Sequence, residues 1–136
     1  MSVALQGDTP ITIESDIVLA RRKVREVATH IGFGPTDVTR IVTAASELAR
    51  NIFQYAGKGT MHWRPIEEDG RAGLELRFVD QGPGIADVNM ALQKGYSTGE
   101  GLGLGLSGTK RLMDVMEIES SPNQGTRITV KKWRKP

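Results

Sequence analysis

Four short segments, Glu47-Leu-Ala-Arg-Asn51, Asp80-Gln-Gly-Pro-Gly84, Gly99-Glu-Gly-Leu-Gly-Leu-Gly105 and Gly125-Thr126, succeed one another as a helix, a strand end, a glycine loop and a second strand. Each is commonplace alone. Their order and spacing restrict the chain to folds that bring a helix, two strand ends and a loop to one place.

Period changes along the chain show how those segments are carried. Thr9 to Glu14 alternates apolar and polar residues and reads as a first strand. From Asp16, Ile17, Ala20, Val24, Val27, Ala28 and Ile31 recur at helical steps, with Ser15 or Asp16 as cap and Gly32 as stop. Gly34-Pro35-Thr36-Asp37 opens a second helix running to about Tyr55. Its apolar stripe is Val38, Ile41, Val42, Ala45, Leu48, Ala49 and Ile52. Glu47 and Asn51 lie off that stripe, one turn apart, and are expected outside the core.

Thr60 to Ile66 and Leu74 to Asp80 read as strands joined by a polar hairpin loop, Glu67 to Arg71. A short helix around Val88 and Leu92 is expected next, then a third main helix from Leu106 or Ser107 to Met116. Strands at Glu117 to Ser121 and Thr126 to Trp133, separated by Pro122-Asn123-Gln124-Gly125, close the chain. Neighbouring strands with three helices left over imply an α+β fold, a two-layer α/β sandwich. Its mixed, largely antiparallel sheet is covered on one face by helices. At 136 residues, one domain is expected.

Composition excludes several functions. Lys plus Arg number 18 against 16 for Asp plus Glu, a net +2 that gives no argument for nucleic acid. The basic run Lys131 to Lys135 reads as a solvated strand end and tail. There is no cysteine, and His30 and His62 lack partners at ligand spacing, so a zinc enzyme is not expected. Residues 1–10 carry no signal-like segment, and no run of about 18 apolar residues occurs. A soluble cytoplasmic protein, away from membranes, is the expectation.

The off-stripe residues suggest chemistry. Asp80 at a strand end, followed by Gly82 and Gly84, offers an acceptor-only carboxylate where backbone can approach a flat ring. That suits the exocyclic amine of adenine and repels guanine's carbonyl. Gly101, Gly103 and Gly105, interleaved with Leu102 and Leu104, read as a lid leading into a helix start that can receive phosphates. No Gly-Lys-Ser/Thr ends the segment, so it is not a Walker A loop. Lys94, Ser97 and Thr98 are candidates to touch the terminal phosphate, although a lid presents such residues without a ligand too. Asn51 can offer an amide oxygen to magnesium on the phosphates of ATP, and Glu47 can take a proton from an attacking hydroxyl or water.

Glu47 with Asn51, Asp80-x-Gly82-x-Gly84 and Gly101-x-Gly103-x-Gly105 resemble the motif set of the gyrase, heat-shock chaperone, histidine kinase and mismatch-repair ATPases, the Bergerat fold. The resemblance spans the chain. Ser46 to Ile52, Tyr55 to Gly59, Asp80 to Ile85 and Lys110 to Asp114 look like the small serine/threonine kinases of bacterial partner-switching modules, the stressosome switch kinases. This implies magnesium ATP as cofactor and phosphorylation of Ser or Thr on STAS-domain antagonist and scaffold proteins. It also implies activation of a downstream output protein, commonly a phosphatase. Carried over by motif, Asn51 is the magnesium ligand, Glu47 the catalytic base and Asp80 the adenine anchor, with Gly82, Gly84 and Ile85 in its motif. Thr126 is a second contact near the adenine edge, and residues 101 to 105 hold the phosphates. Sigma-binding relatives typically have a histidine-alanine pair where Tyr55-Ala56-Gly57-Lys58 stands here. The competing reading is a nucleotide-gated anti-sigma factor that sequesters a sigma factor.

Overall fold

The computed structural model describes residues 4–85 and 105–135. Strand β1 (Gly7–Ile11) leads into helix α1 (Ser15–Ile31) and helix α2 (Pro35–Asn51), which continues as a π turn over Ile52–Ala56. Strands β2 (Gly59–Glu68) and β3 (Arg71–Asp80) follow, then helix α3 (Leu106–Leu112) and strands β4 (Val115–Ser120) and β5 (Thr126–Trp133). They form a five-stranded sheet in the order β1-β2-β3-β5-β4. The fold is α+β with helices on one sheet face, and every described pairing is antiparallel.

Local chemistry accounts for most boundaries. Gly32, at φ 108°, ends α1 by donating its N–H to Ala28 and Thr29. Pro35 opens α2 where its missing N–H costs nothing. The hairpin loop expected over Glu67 to Arg71 shrinks to Asp69 and Gly70, whose positive φ values of 53° and 78° make the tight turn of a two-residue hairpin. Neither Ser15 nor Asp16 caps α1 from its start. Instead Asp16 Oδ2 reaches back to the amides of Thr12 (2.8 Å) and Ile13 (3.1 Å), tying β1 to α1. Those amides hold the Asp16 carboxyl below its ordinary range.

Alternation divides the sheet. Leu74, Leu76 and Phe78 of β3, with Ile128 and Val130 of β5, pack against Val24 and Val27 of α1 and Ile41 and Leu48 of α2. The intervening Glu75 and Arg77 belong to the opposite, helix-free face. There Glu75 takes two guanidinium bonds from Arg64, at 2.9 and 3.1 Å.

Other features also differ from expectation, among them the first strand, expected over Thr9 to Glu14 and found at Gly7–Ile11. The α2 helical run reaches Ala56, but its last turn is π, closed by Gly57 N–H to Ile52 O at 2.9 Å. Helix α3 stops at Leu112, and Met116 lies in β4. Asp114 N–H already bonds Lys131 O, so sheet pairing has claimed the backbone there. Lys132 is no solvated tail residue: only 7% exposed, it shares the parity of Ile128 and Val130 and points to the helices. Its Nζ donates to Leu112 O at 3.0 Å and lies 3.6 Å from Asp114 and 4.0 Å from buried Asp37. The expected helix around Val88 and Leu92 lies outside the described residues.

Candidate functional site

Strand β3 carries Asp80 to the end of the sheet on the same face as Phe78, so its carboxylate points toward the helices. Across the sheet the register reads Gly59, Asp80, Thr126, Ser120. Gly59 leaves the flank of Asp80 open: a Cβ there would lie 3.1 Å from Asp80 Cβ and 2.8 Å from Ile52 of the π turn. Asp80 Oδ1 accepts the Gly82 N–H at 2.9 Å. Burial pushes the Asp80 carboxyl above its ordinary value, and the amides of Gly82 and Thr126 pull partly back.

The segment after Asp80 is laid onto the β4–β5 turn by backbone bonds. Asn123 N–H meets Pro83 O at 2.6 Å, and Gly125 N–H meets Gly82 O at 3.1 Å. Gly82 packs on the π turn so tightly that a Cβ would come within 2.6 Å of Ala56 Cβ. Gly84, at φ 78°, lies against the Ser121 carbonyl, and a side chain there would meet both strain and overlap. Ile85 follows, its N–H donated to Ser120 Oγ at 2.8 Å. Asp80, Gly82, Gly84, Ile85 and Thr126 are therefore one cluster.

Ser120 is the member that motif reading missed. Nothing local marks it. Its position becomes visible only through the β4–β5 register, which sets it opposite Thr126.

A second cluster lies along α2. Glu47 is half-buried; its Oε1 accepts from Arg50 Nη1 at 2.9 Å, and its Oε2 faces Gly105, where a Cβ would be 2.9 Å away. Gly105 adopts φ 50° directly before α3, and its carbonyl accepts both the amide and the hydroxyl of Thr109. Asn51 departs from expectation, being buried at 9% exposure. It is the last residue of α2, directly before the π turn. The candidate residues Lys94, Ser97, Thr98, Gly101, Leu102, Gly103 and Leu104 lie outside the described residues.

A concavity opens at the same sheet end, lined by Asp80, Ser120 and Thr126 together with Val79, Glu119 and Arg127. Among the described residues no group of three or more His, Cys, Asp or Glu side chains could hold a metal, and no helix is long and apolar enough to cross a membrane.

Comparison with known proteins fits this geometry. Residues 10–132 match the model of the histidine kinase-like ATPase domain. The serine/threonine-protein kinase RsbT of Bacillus subtilis is 49% identical over 94% of this chain and 96% of its own length. An anti-sigma F factor of Caldanaerobacter subterraneus is 32% identical over 84% of this chain and 82% of its own. Two solved structures share the fold. The RsbU and RsbW domains of a Mycobacterium tuberculosis protein align over 96% of this chain and 33% of theirs, with a TM-score of 0.65 and 18% identity. The mycobacterial sensor histidine kinase MprB aligns over 96% of this chain and 99% of its own, with a TM-score of 0.58 and 21% identity. The chain belongs to the histidine kinase-like ATPase family, the Bergerat-fold ATPases, and within it to the RsbT-type serine/threonine-protein kinases.

Proposed function

We propose that this chain is a magnesium-ATP-dependent kinase of a cytoplasmic bacterial partner-switching module, its site carried by a single domain. It transfers the γ-phosphoryl group to Ser or Thr of STAS-domain antagonist and scaffold proteins, then activates an output protein such as a phosphatase. The observation that carries this reading is the approach of Glu47 to Gly105 on the helix-covered side of the sheet, toward which Asp80 at the end of β3 also points.

In this reading the ionised Asp80 carboxylate accepts the adenine amine while it also accepts from Gly82. Its acceptor-only chemistry rejects a purine carbonyl at that position. Gly105 and residues 101–104 are assigned to the phosphates, and Lys94, Ser97 and Thr98 to the terminal phosphate. Asn51 is the protein ligand for magnesium. A single amide oxygen suits an ion that draws its remaining ligands from phosphates and water, and magnesium supplies neutralisation of phosphate charge when bound. Glu47 accepts the proton of the substrate hydroxyl as its oxygen bonds to the γ-phosphorus and ADP departs. Arg50 holds Oε1 and leaves Oε2 toward Gly105 for that proton.

Incubation with γ-labelled ATP and a cognate antagonist domain tests the reading. Label on Ser or Thr that disappears in Glu47→Ala supports it, and transfer unchanged in that variant removes Glu47 from its role. The similarity to an anti-sigma F factor motivates the second reading, a nucleotide-gated sigma-binding module. Stable co-elution with a sigma factor, dependent on ATP, would favour it over the kinase.

A further inference from the structure

The hydroxyl of Ser120 has three polar neighbours: Ile85 N at 2.8 Å, Gly125 O at 2.9 Å and Thr126 Oγ1 at 2.9 Å. A serine hydroxyl has one proton and two lone pairs. The Ile85 amide can only donate, so it occupies one lone pair. The Gly125 carbonyl can only accept, so it takes the proton. What remains toward Thr126 is a lone pair, and the proton between the two hydroxyls must come from Thr126.

This wiring fixes the polarity of Thr126. Its only proton is directed to Ser120, and the faces of its hydroxyl turned elsewhere offer lone pairs alone. Thr126 stands beside Asp80 in the β3–β5 register, on the same face of the sheet. The row therefore presents two acceptors side by side. Reversing the proton would withdraw it from the carbonyl of Gly125, a buried residue.

We propose that Ser120 determines nucleotide specificity by holding the Thr126 hydroxyl as an acceptor, so that the site reads a purine amine and rejects a purine carbonyl. Ser120 itself is a positioning residue. The inference rests on the assignment of Asp80 and Thr126 to the adenine edge. Without Ser120, the Thr126 proton is free to turn outward and satisfy a carbonyl oxygen.

Calorimetric titration with magnesium ATP and with magnesium inosine triphosphate, which carries a carbonyl in place of the amine, tests this. The ATP-to-ITP affinity ratio is read within each variant, so general weakening of the site cancels. Ser120→Ala is expected to lower that ratio about five-fold, the size of one hydrogen bond, and Ser120→Thr to preserve it. On a Thr126→Val background, Ser120→Ala is expected to leave the ratio unchanged. If Ser120→Ala does not fold, Ser120→Cys, with its weak donor, is read in its place. Equal loss of ATP and ITP affinity in the serine variants, with the ratio intact, overturns the proposal and leaves Ser120 a structural residue. Asp80→Asn separates the two levels. Undiminished ATP binding in that variant defeats the adenine assignment itself, whereas lost binding there with an unchanged serine ratio defeats only the role of Ser120.

Discussion

The carboxylate of Glu47 lies against Gly105, and a Cβ on residue 105 would sit 2.9 Å from Glu47 Oε2. Helix α2 and the start of α3 thus meet at a point where an added side chain would have to displace the Glu47 carboxylate. Gly105 also adopts φ 50°, which costs an L-residue about 1–2 kcal/mol. Gly105→Ala is therefore expected to lower phosphotransfer by about ten-fold or more, one order of magnitude being about 1.4 kcal/mol of barrier. Gly70→Ala is the control, because Gly70 has φ 78° with nothing near its Cβ position. It should lose comparable stability with activity intact. Equal activity in the two variants would show that the contact with Glu47 is incidental.

Asp80 is held above its ordinary value of 3.8 by burial. A carboxyl whose folded value exceeds its unfolded one stabilises the fold fully below the unfolded value, and that contribution is lost as pH rises through the folded one. Asp80→Asn, neutral throughout and still able to accept from Gly82, is expected to melt a few degrees above the wild type at pH 7. The gap should close as pH falls below 3.8. Nucleotide affinity should move oppositely in the wild type, weakening under acid as the carboxylate is neutralised. Thermal melts across pH, with and without ATP, check both signs.

Arg50 and Glu47 are both about one-third exposed, at 36%. An exposed pair of this kind contributes little to stability, so Arg50→Ala should change unfolding free energy by less than about 1 kcal/mol. Its effect should fall on turnover, because the carboxylate loses the partner that holds Oε1. A kcat several-fold lower with ATP affinity unchanged is expected, and reduced affinity with normal kcat would contradict the assignment.

Lys132 and Asp37 are both less than 10% side-chain exposed, and Asp37 also takes Arg40 at 2.9 Å. Lys132→Met withdraws one cation from that carboxylate and the donor from Leu112 O. With Arg40 still paired, a loss of about 2–3 kcal/mol is expected, at or below the low end for a broken buried pair. Urea denaturation measures it. A loss below about 0.5 kcal/mol, the size expected of an ordinary surface substitution, would show that the pair carries nothing.

What the sequence made legible is whatever depends on neighbours in the chain. The α2 stripe from Val38 to Ile52 is buried as its spacing implies, Gly32 stops α1, and β3 ends at Asp80. What it hid depends on partners far along the chain. Lys132 looks like part of a basic tail until strand parity and Asp37 place it inward. Ser120 is unremarkable until β5 sets Thr126 against it. Asn51 lies off the α2 stripe, and helical phase alone does not report its burial. Met116 suits a helix as well as a strand, and only pairing with β5 decides.

The central claim is that Asp80 grips a purine amine. Calorimetry with magnesium ATP on the wild type and Asp80→Asn, under identical conditions at pH 7, tests it most directly. Binding by the wild type with at least a hundred-fold loss in the variant is the predicted result, within the range for leaving a site's hydrogen-bonding group mismatched, up to about 10⁴-fold. Equal affinity in the two proteins, or no binding by the wild type, would contradict it.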